Sequence, residues 1–394
     1  MIRNRWLALA VLFLARTAMA VQFQSVGALG PILVDRLAID YALLGTLIGL
    51  YMLPGFVIAL PGGMLMQRLG ATTIALIGLA AMALGGLLMG AIPSFPAMAA
   101  GRLLSGTGAV LLNVAVTKMA VDWFVGREIV TAMSILVASW PFGIALALVG
   151  FVPLAGAYGW QAAMYAGAGF AAVSLVLIGL AYRSPPAAAA PEAAKLALNL
   201  TGREWLLVSL AGLVWGTFNV GYIGLVSFAP DLFVARGYSL LDASRLVSLV
   251  GWVLIASIPL GGYVAEATGR PTAVMAGGLA LAAISMALLP AGIAPLAVFG
   301  VVALVVGLPA GPIMALPAQA LRPESRAPGM GVFYTWYYAA MAVLPGLAGA
   351  ARDIAGSAAA PVLFAAAMML AALGCLAAFL AAMRGNKPVA ASAR

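Results

Sequence analysis

"PGGMLMQRLG", residues 61–70, returns 199 residues later as "LGGYVAEATG", residues 260–269. Gly62, Gly63 and Gly70 fall on Gly261, Gly262 and Gly269. The same offset sets Phe23 on Tyr222, Pro31 on Pro230, Gly101 on Gly300 and Gly108 on Gly307. One offset that holds across several apolar runs implies two copies of one unit with the same topology, a pattern of transporters that bind substrate between their halves near mid-membrane.

The surroundings of that repeat are apolar. Of 394 residues 65% are hydrophobic and 8% charged, against about 25% charged in soluble domains. Runs of about 20 residues, enough to cross a bilayer, are read at about 6–34, 41–65, 72–92, 96–119, 129–154, 161–182, 205–232, 243–264, 271–291, 295–320, 329–351 and 359–383. The fold expected is an all-α membrane protein of twelve transmembrane helices. Residues 1–182 and 205–394 form two six-helix bundles, joined by a Pro/Ala-rich linker at 183–204. With the N-terminus inside, fourteen of the twenty basic residues fall in inner segments and four in outer ones. The positive-inside rule then makes both termini and the linker cytoplasmic. Arg3 and Arg5 before an apolar stretch ending in "AMA" imitate a secretory signal, but Arg16 interrupts it and the repeat needs this segment.

Several function classes are excluded. The chain has no histidine and one cysteine, Cys375, so no disulfide framework or cysteine-rich metal site is expected. No phosphate-binding loop and no paired carboxylates appear within a span. No enzyme activity, cofactor or metal is expected. The net charge of +9 is scattered rather than striped, which argues against nucleic acid. The expected partners are the lipid bilayer and a small molecule, with the chain acting as a monomer.

Arg16 and Arg102 are the basic residues left inside spans. An arginine costs at least ~2.5–3.5 kcal/mol at mid-bilayer. At 100° per residue, Arg102, Asn113 and Thr117 form one polar stripe, and Phe23, Gln24 and Gly27 share a face with Arg16. By helical rise Arg16 lies roughly 15 Å and Arg102 roughly 9 Å into the membrane from opposite sides. With no intramembrane carboxylate to pair them, an anionic substrate is a candidate partner. Arg102 has a second reading, in which neighbouring backbone carbonyls hold it. In the second half the candidates are neutral: Asn219 and Tyr222 beside Trp215, and Tyr334, Tyr337 and Tyr338 in "FYTWYY". Pro309, Pro312 and Pro317 imply a kinked helix at 295–320.

Twelve spans, the 6+6 repeat and an inner central loop resemble the major facilitator superfamily. That family's loop motif after span two, G-x-x-x-D-R-x-G, is met by Gly63, Gln67, Arg68 and Gly70, with glutamine in place of the acid; the second copy keeps Glu266 and Gly269. Its span-four motif, R-x-x-Q-G-x-G-A, is met by Arg102, Ser105, Gly106, Gly108 and Ala109. The resemblance implies alternating access, with spans one and four lining the cavity and the loop residues governing conformation. "SVGALGP", residues 25–31, resembles the cyanate-permease-like group. The function expected is secondary transport of a small organic or inorganic anion across the inner (plasma) membrane. Efflux of lipophilic drugs or cations is the alternative, and a membrane sensor or scaffold the third reading.

Overall fold

A computed structural model describes residues 4–124, 128–183, 200–292, 294–322 and 325–384. The linker's residues 184–199 and the side chains of Gly63 and Gln67 lie outside the described residues. Before the linker run α1 (Arg5–Ala28), α2 (Gly30–Leu37), α3 (Tyr41–Leu50), α4 (Leu53–Leu69), α5 (Ala71–Ala91), α6 (Phe95–Phe124), α7 (Ile129–Tyr158) and α8 (Trp160–Ala181). After it run α9 (Gly202–Val234), α10 (Leu240–Thr268), α11 (Pro271–Leu288), α12 (Pro295–Gly307), α13 (Ala310–Met314), α14 (Leu316–Ala320), α15 (Arg326–Ala355) and α16 (Ala359–Arg384). No strand occurs among the described residues.

The breaks follow from proline chemistry. Pro31 has no N–H for Gly27, and Leu29 turns instead to bond the Gly27 carbonyl, so the expected span 6–34 ends and restarts at Leu29. Pro54 marks the restart inside the expected span 41–65, where Met52 closes a turn on Gly49. Pro309, Pro312 and Pro317 divide 295–320 into α12, α13 and α14. Pro141, Pro230 and Pro345 lie inside unbroken helices, so proline alone does not decide.

Among the described residues, eleven helical segments are long and apolar enough to cross a membrane. The expected span 329–351 lies in α15, 30 residues long but tyrosine-rich in its first half, and is not among the eleven. Large apolar side chains stay exposed on the outer faces, among them Leu84 and Leu87 on α5, Leu180 on α8, Ile284 on α11 and Leu370 on α16. Such a girdle suits acyl chains and not water. The chain is a multi-pass membrane protein.

Glycine lets helix backbones meet. On α5 and α6, Gly78 faces the Gly108 carbonyl and Gly85 that of Gly101, both too close for a Cβ. The linker is bracketed by the end of the bundle that carries the ion pair Arg5–Glu128 (2.8 Å) and the Lys118–Asp122 pair; this is the linker end, and the other is the far end. Toward the far end α3 and α15 touch backbone to backbone. Gly45 meets the Pro345 carbonyl, Gly49 that of Ala342, and Gly349 that of Tyr41.

Candidate functional site

Helices α1, α3, α6 and α7 on one side and α9, α10, α13 and α15 on the other enclose a central cavity of about 270 Å³. Among the described residues, Arg16 is the one charged residue that lines it. The walls are otherwise aromatic and aliphatic, with Tyr51, Trp140, Trp215, Phe218, Tyr334, Tyr337 and Tyr338 among them. A slot of about 500 Å³ between α7 and α10 shares Val137, Pro141, Leu254 and Ile258 with the cavity. The slot also reaches Ile129 and Gly262, toward the linker end.

Arg16 is half-buried and held by one helix on each of two sides. Its Nε donates to Asn113 Oδ1 at 3.1 Å on α6, and its Nη1 to the Leu136 carbonyl at 2.6 Å on α7. The Ser139 hydroxyl donates to that carbonyl at 2.6 Å and offers its oxygen to Nη1 at 3.4 Å. Arg16 Nη2 donates to no described residue. Tyr334, Tyr337 and Tyr338 lie within electrostatic range of the guanidinium. Their rings form one cluster, with Tyr337 and Tyr338 centroids 5.0 Å apart. Trp215 extends it, 6.2 Å from Tyr337 and stacked on Phe218 at 5.5 Å. Asn219 donates to the Trp215 carbonyl at 2.8 Å and lines the cavity. The Tyr222 hydroxyl is buried in the same wall and has no hydrogen-bond partner among the described residues.

Two expected site residues lie off the cavity. Arg102 is fully buried, and the α6 glycines let it reach four backbone carbonyls. Nε bonds Leu47 at 2.8 Å, Nη1 bonds Gln22 and Phe23 at 3.0 and 3.1 Å, and Nη2 bonds Ile48 at 3.2 Å. The Tyr51 ring covers it at 4.5 Å. The carbonyls near the α1 and α3 breaks thus take four of its five N–H donors, and the side chain is not among the residues that line the cavity. Gln24 is fully buried too and donates to the Val226 carbonyl across the α1–α9 crossing at 3.2 Å. Of the expected stripe only Asn113 lines the cavity, and the Thr117 hydroxyl donates back to the Asn113 carbonyl at 2.7 Å.

The loop residues are turn formers in this structure. Gly70 has φ +84° between α4 and α5, and Gly269 has φ +62° at the end of α10, both left-handed positions that favour glycine. Arg68 and Glu266 are exposed and make no ion pair among the described residues.

A polar cluster at the far end was not anticipated. The Tyr41 hydroxyl donates to Asp231 at 2.6 Å, and Arg352 pairs with the other Asp231 oxygen at 2.9 Å while covering the Tyr41 ring at 4.8 Å. Asp353 accepts from the Tyr41 and Ala42 amides at 3.1 and 2.8 Å, and so caps the N-terminus of α3 from α15. Only the span-end positions of these acids hinted at this.

Comparisons agree with the architecture. A family model described as Major Facilitator Superfamily matches residues 9–345. The crystal structure of a bacterial homolog to the human lysosomal transporter Spinster, inward-facing and unoccupied, aligns with TM-score 0.76 at 17% identity, over 97% of this chain and 98% of that one. A variant of the nucleoside transporter NupG aligns with TM-score 0.72 at 16% identity, over 97% and 100%. The POT family transporter PepTSo aligns with TM-score 0.72 at 12% identity, over 96% and 99%. No protein of curated function matches the sequence. With most of its length matched by the family model, the chain belongs to the major facilitator superfamily.

Proposed function

We propose that this protein is a secondary active transporter that moves a small anion across the inner membrane by alternating access. The observation that carries the reading is the lone charge of the cavity. Among the described residues, Arg16 faces a space with no lining carboxylate and keeps one guanidinium arm without a partner. An uncompensated cation in a low-dielectric site strongly favours an anionic ligand.

The rest of the mechanism follows from the seams between residues 1–182 and 205–394, taken as two six-helix bundles with α15 counted as a span. The glycine contacts of α3 with α15 and the Tyr41 cluster shut the far end. The α7–α10 slot opens the cavity to the linker end. With the basic-residue excess inside, this is the inward-open state of a monomeric carrier. Rocking the bundles would close the slot and part α3 from α15. The aromatic walls give efflux of lipophilic drugs or cations some support through cation–π contact, but Arg16 repels a cationic ligand.

The test is uptake of labelled anions into proteoliposomes. Arg16→Gln is expected to abolish most uptake while the protein stays folded. Uptake unchanged by Arg16→Gln would overturn the assignment.

A further inference from the structure

The proposed anion reading leaves open which anion. We infer that the ligand is a small organic monocarboxylate with a flat apolar body and a second polar group at its far end, of which a hydroxybenzoate is the type; the inference rests on the anion reading and goes beyond it.

Charge sets the valence. Among the described residues Arg16 is the only charged side chain in the wall, and two of its three nitrogens already serve Asn113, Leu136 and Ser139. The remaining Nη2 suits one carboxylate. A dianion would bring a second charge into the cavity with no partner among the lining residues.

The walls set the body. Trp215, stacked on Phe218 and near Tyr337, presents broad ring faces, and Trp140 lies on the α7 side. Nitrate or cyanate would give up hydration and gain one arginine arm, with nothing for the rings to cover. A planar ring gains offset-stacked or edge contacts with these faces. A volume of about 270 Å³ falls below the usual ~300–1,000 Å³ of drug-sized sites, so a single ring fits better than a fused system.

Tyr222 sets the far group. The residue lines the cavity, and its buried hydroxyl has no hydrogen-bond partner among the described residues; a buried hydroxyl left unpaired is costly. Arg16 lies on α1 and Tyr222 on α9, so the two polar contacts come from different halves of the chain. A hydroxyl or carbonyl remote from the carboxylate would complete Tyr222.

Thermal stabilisation of the purified full-length protein by benzoate, 4-hydroxybenzoate, nitrate, succinate and tetraphenylphosphonium tests this. Benzoate and 4-hydroxybenzoate should stabilise, 4-hydroxybenzoate with at least about fivefold tighter affinity. Arg16→Gln should weaken both more than tenfold. Tyr222→Phe should erase the advantage of 4-hydroxybenzoate and leave benzoate unchanged, a readout that a folding defect would not give. Nitrate or succinate binding at least as tightly as either benzoate, with loss in Arg16→Gln, would overturn the inference and keep the anion reading. Stabilisation by tetraphenylphosphonium alone would overturn both. No stabilisation by either benzoate, or an advantage that survives Tyr222→Phe, would overturn the inference.

Discussion

At the scale of single residues, the two intramembrane arginines are a controlled comparison. Both sit alone in apolar helices, and the sequence leaves Arg102 between an anion partner and a carbonyl-held role while favouring substrate for Arg16. What separates them is the neighbouring backbone. Arg102 meets four carbonyls and is sealed by Tyr51. Arg16 meets one carbonyl and two side chains, and keeps an open arm. Opposite mutational signatures follow. Arg102→Lys cannot reproduce a planar fork on four acceptors and should cost the empty protein ~2 kcal/mol or more, the scale of one or two charge-assisted hydrogen bonds, with ligand affinity nearly unchanged. Arg16→Lys should leave thermal stability within ~1 kcal/mol and lower uptake more than tenfold. Melting curves and uptake on the same two variants check both. Arg16, Asn113, Asn219, Tyr222 and the three tyrosines were legible as polar or aromatic residues at mid-span. Helical spacing left Arg102 between two roles and set Gln24 on the Arg16 face, because it gives a face and not the neighbour that covers it. Trp140, Tyr51 and Ser139 were missed because an aromatic or a serine in a span is ordinary.

At the scale of elements, α3 and α15 form the seam on which closure of the far end depends. Their contact is backbone on backbone at Gly45, Gly49 and Gly349, so a branched side chain has no space. Gly45→Val should wedge α3 from the Pro345 carbonyl and bias the carrier toward the state open at the far end. Maleimide labelling of Ala28→Cys, buried in this structure, should then rise severalfold in a Cys375→Ala background. Asp353→Asn should act in the same direction and more weakly. It removes a carboxylate from a helix N-terminus, where such a charge contributes ~0.3–1 kcal/mol. Glycine runs in the sequence signalled that helices would touch here, and proline marked where spans would break. Neither signal named the partner helix, which is why the Tyr41–Asp231–Arg352 cluster, assembled from three segments far apart in the chain, stayed out of reach.

At the scale of the whole molecule, the repeat survives in the helix bounds: Tyr41–Leu69 at α3 and α4 recurs as Leu240–Thr268 at α10. The architecture was legible because an apolar run and a constant offset are properties of one chain. The direction of opening was not, since one sequence must serve both arrangements of an alternating carrier. Sidedness is open to a direct check. Val137→Cys, on the slot wall and exposed, should react with a membrane-impermeant maleimide in inside-out vesicles and poorly in right-side-out ones. The lone cavity cation also has an electrical consequence. With the proposed monoanion as substrate, the empty carrier would reorient with an unneutralised positive charge and the loaded carrier with none. Membrane voltage therefore acts on the empty return step and spares the loaded one. A charge crossing the whole field feels ~2.3 kcal/mol per 100 mV, and Arg16 feels the fraction that its cavity access changes. An inside-negative potential should hold the empty protein open to the cytoplasm, and transient currents recorded without substrate should vanish in Arg16→Gln.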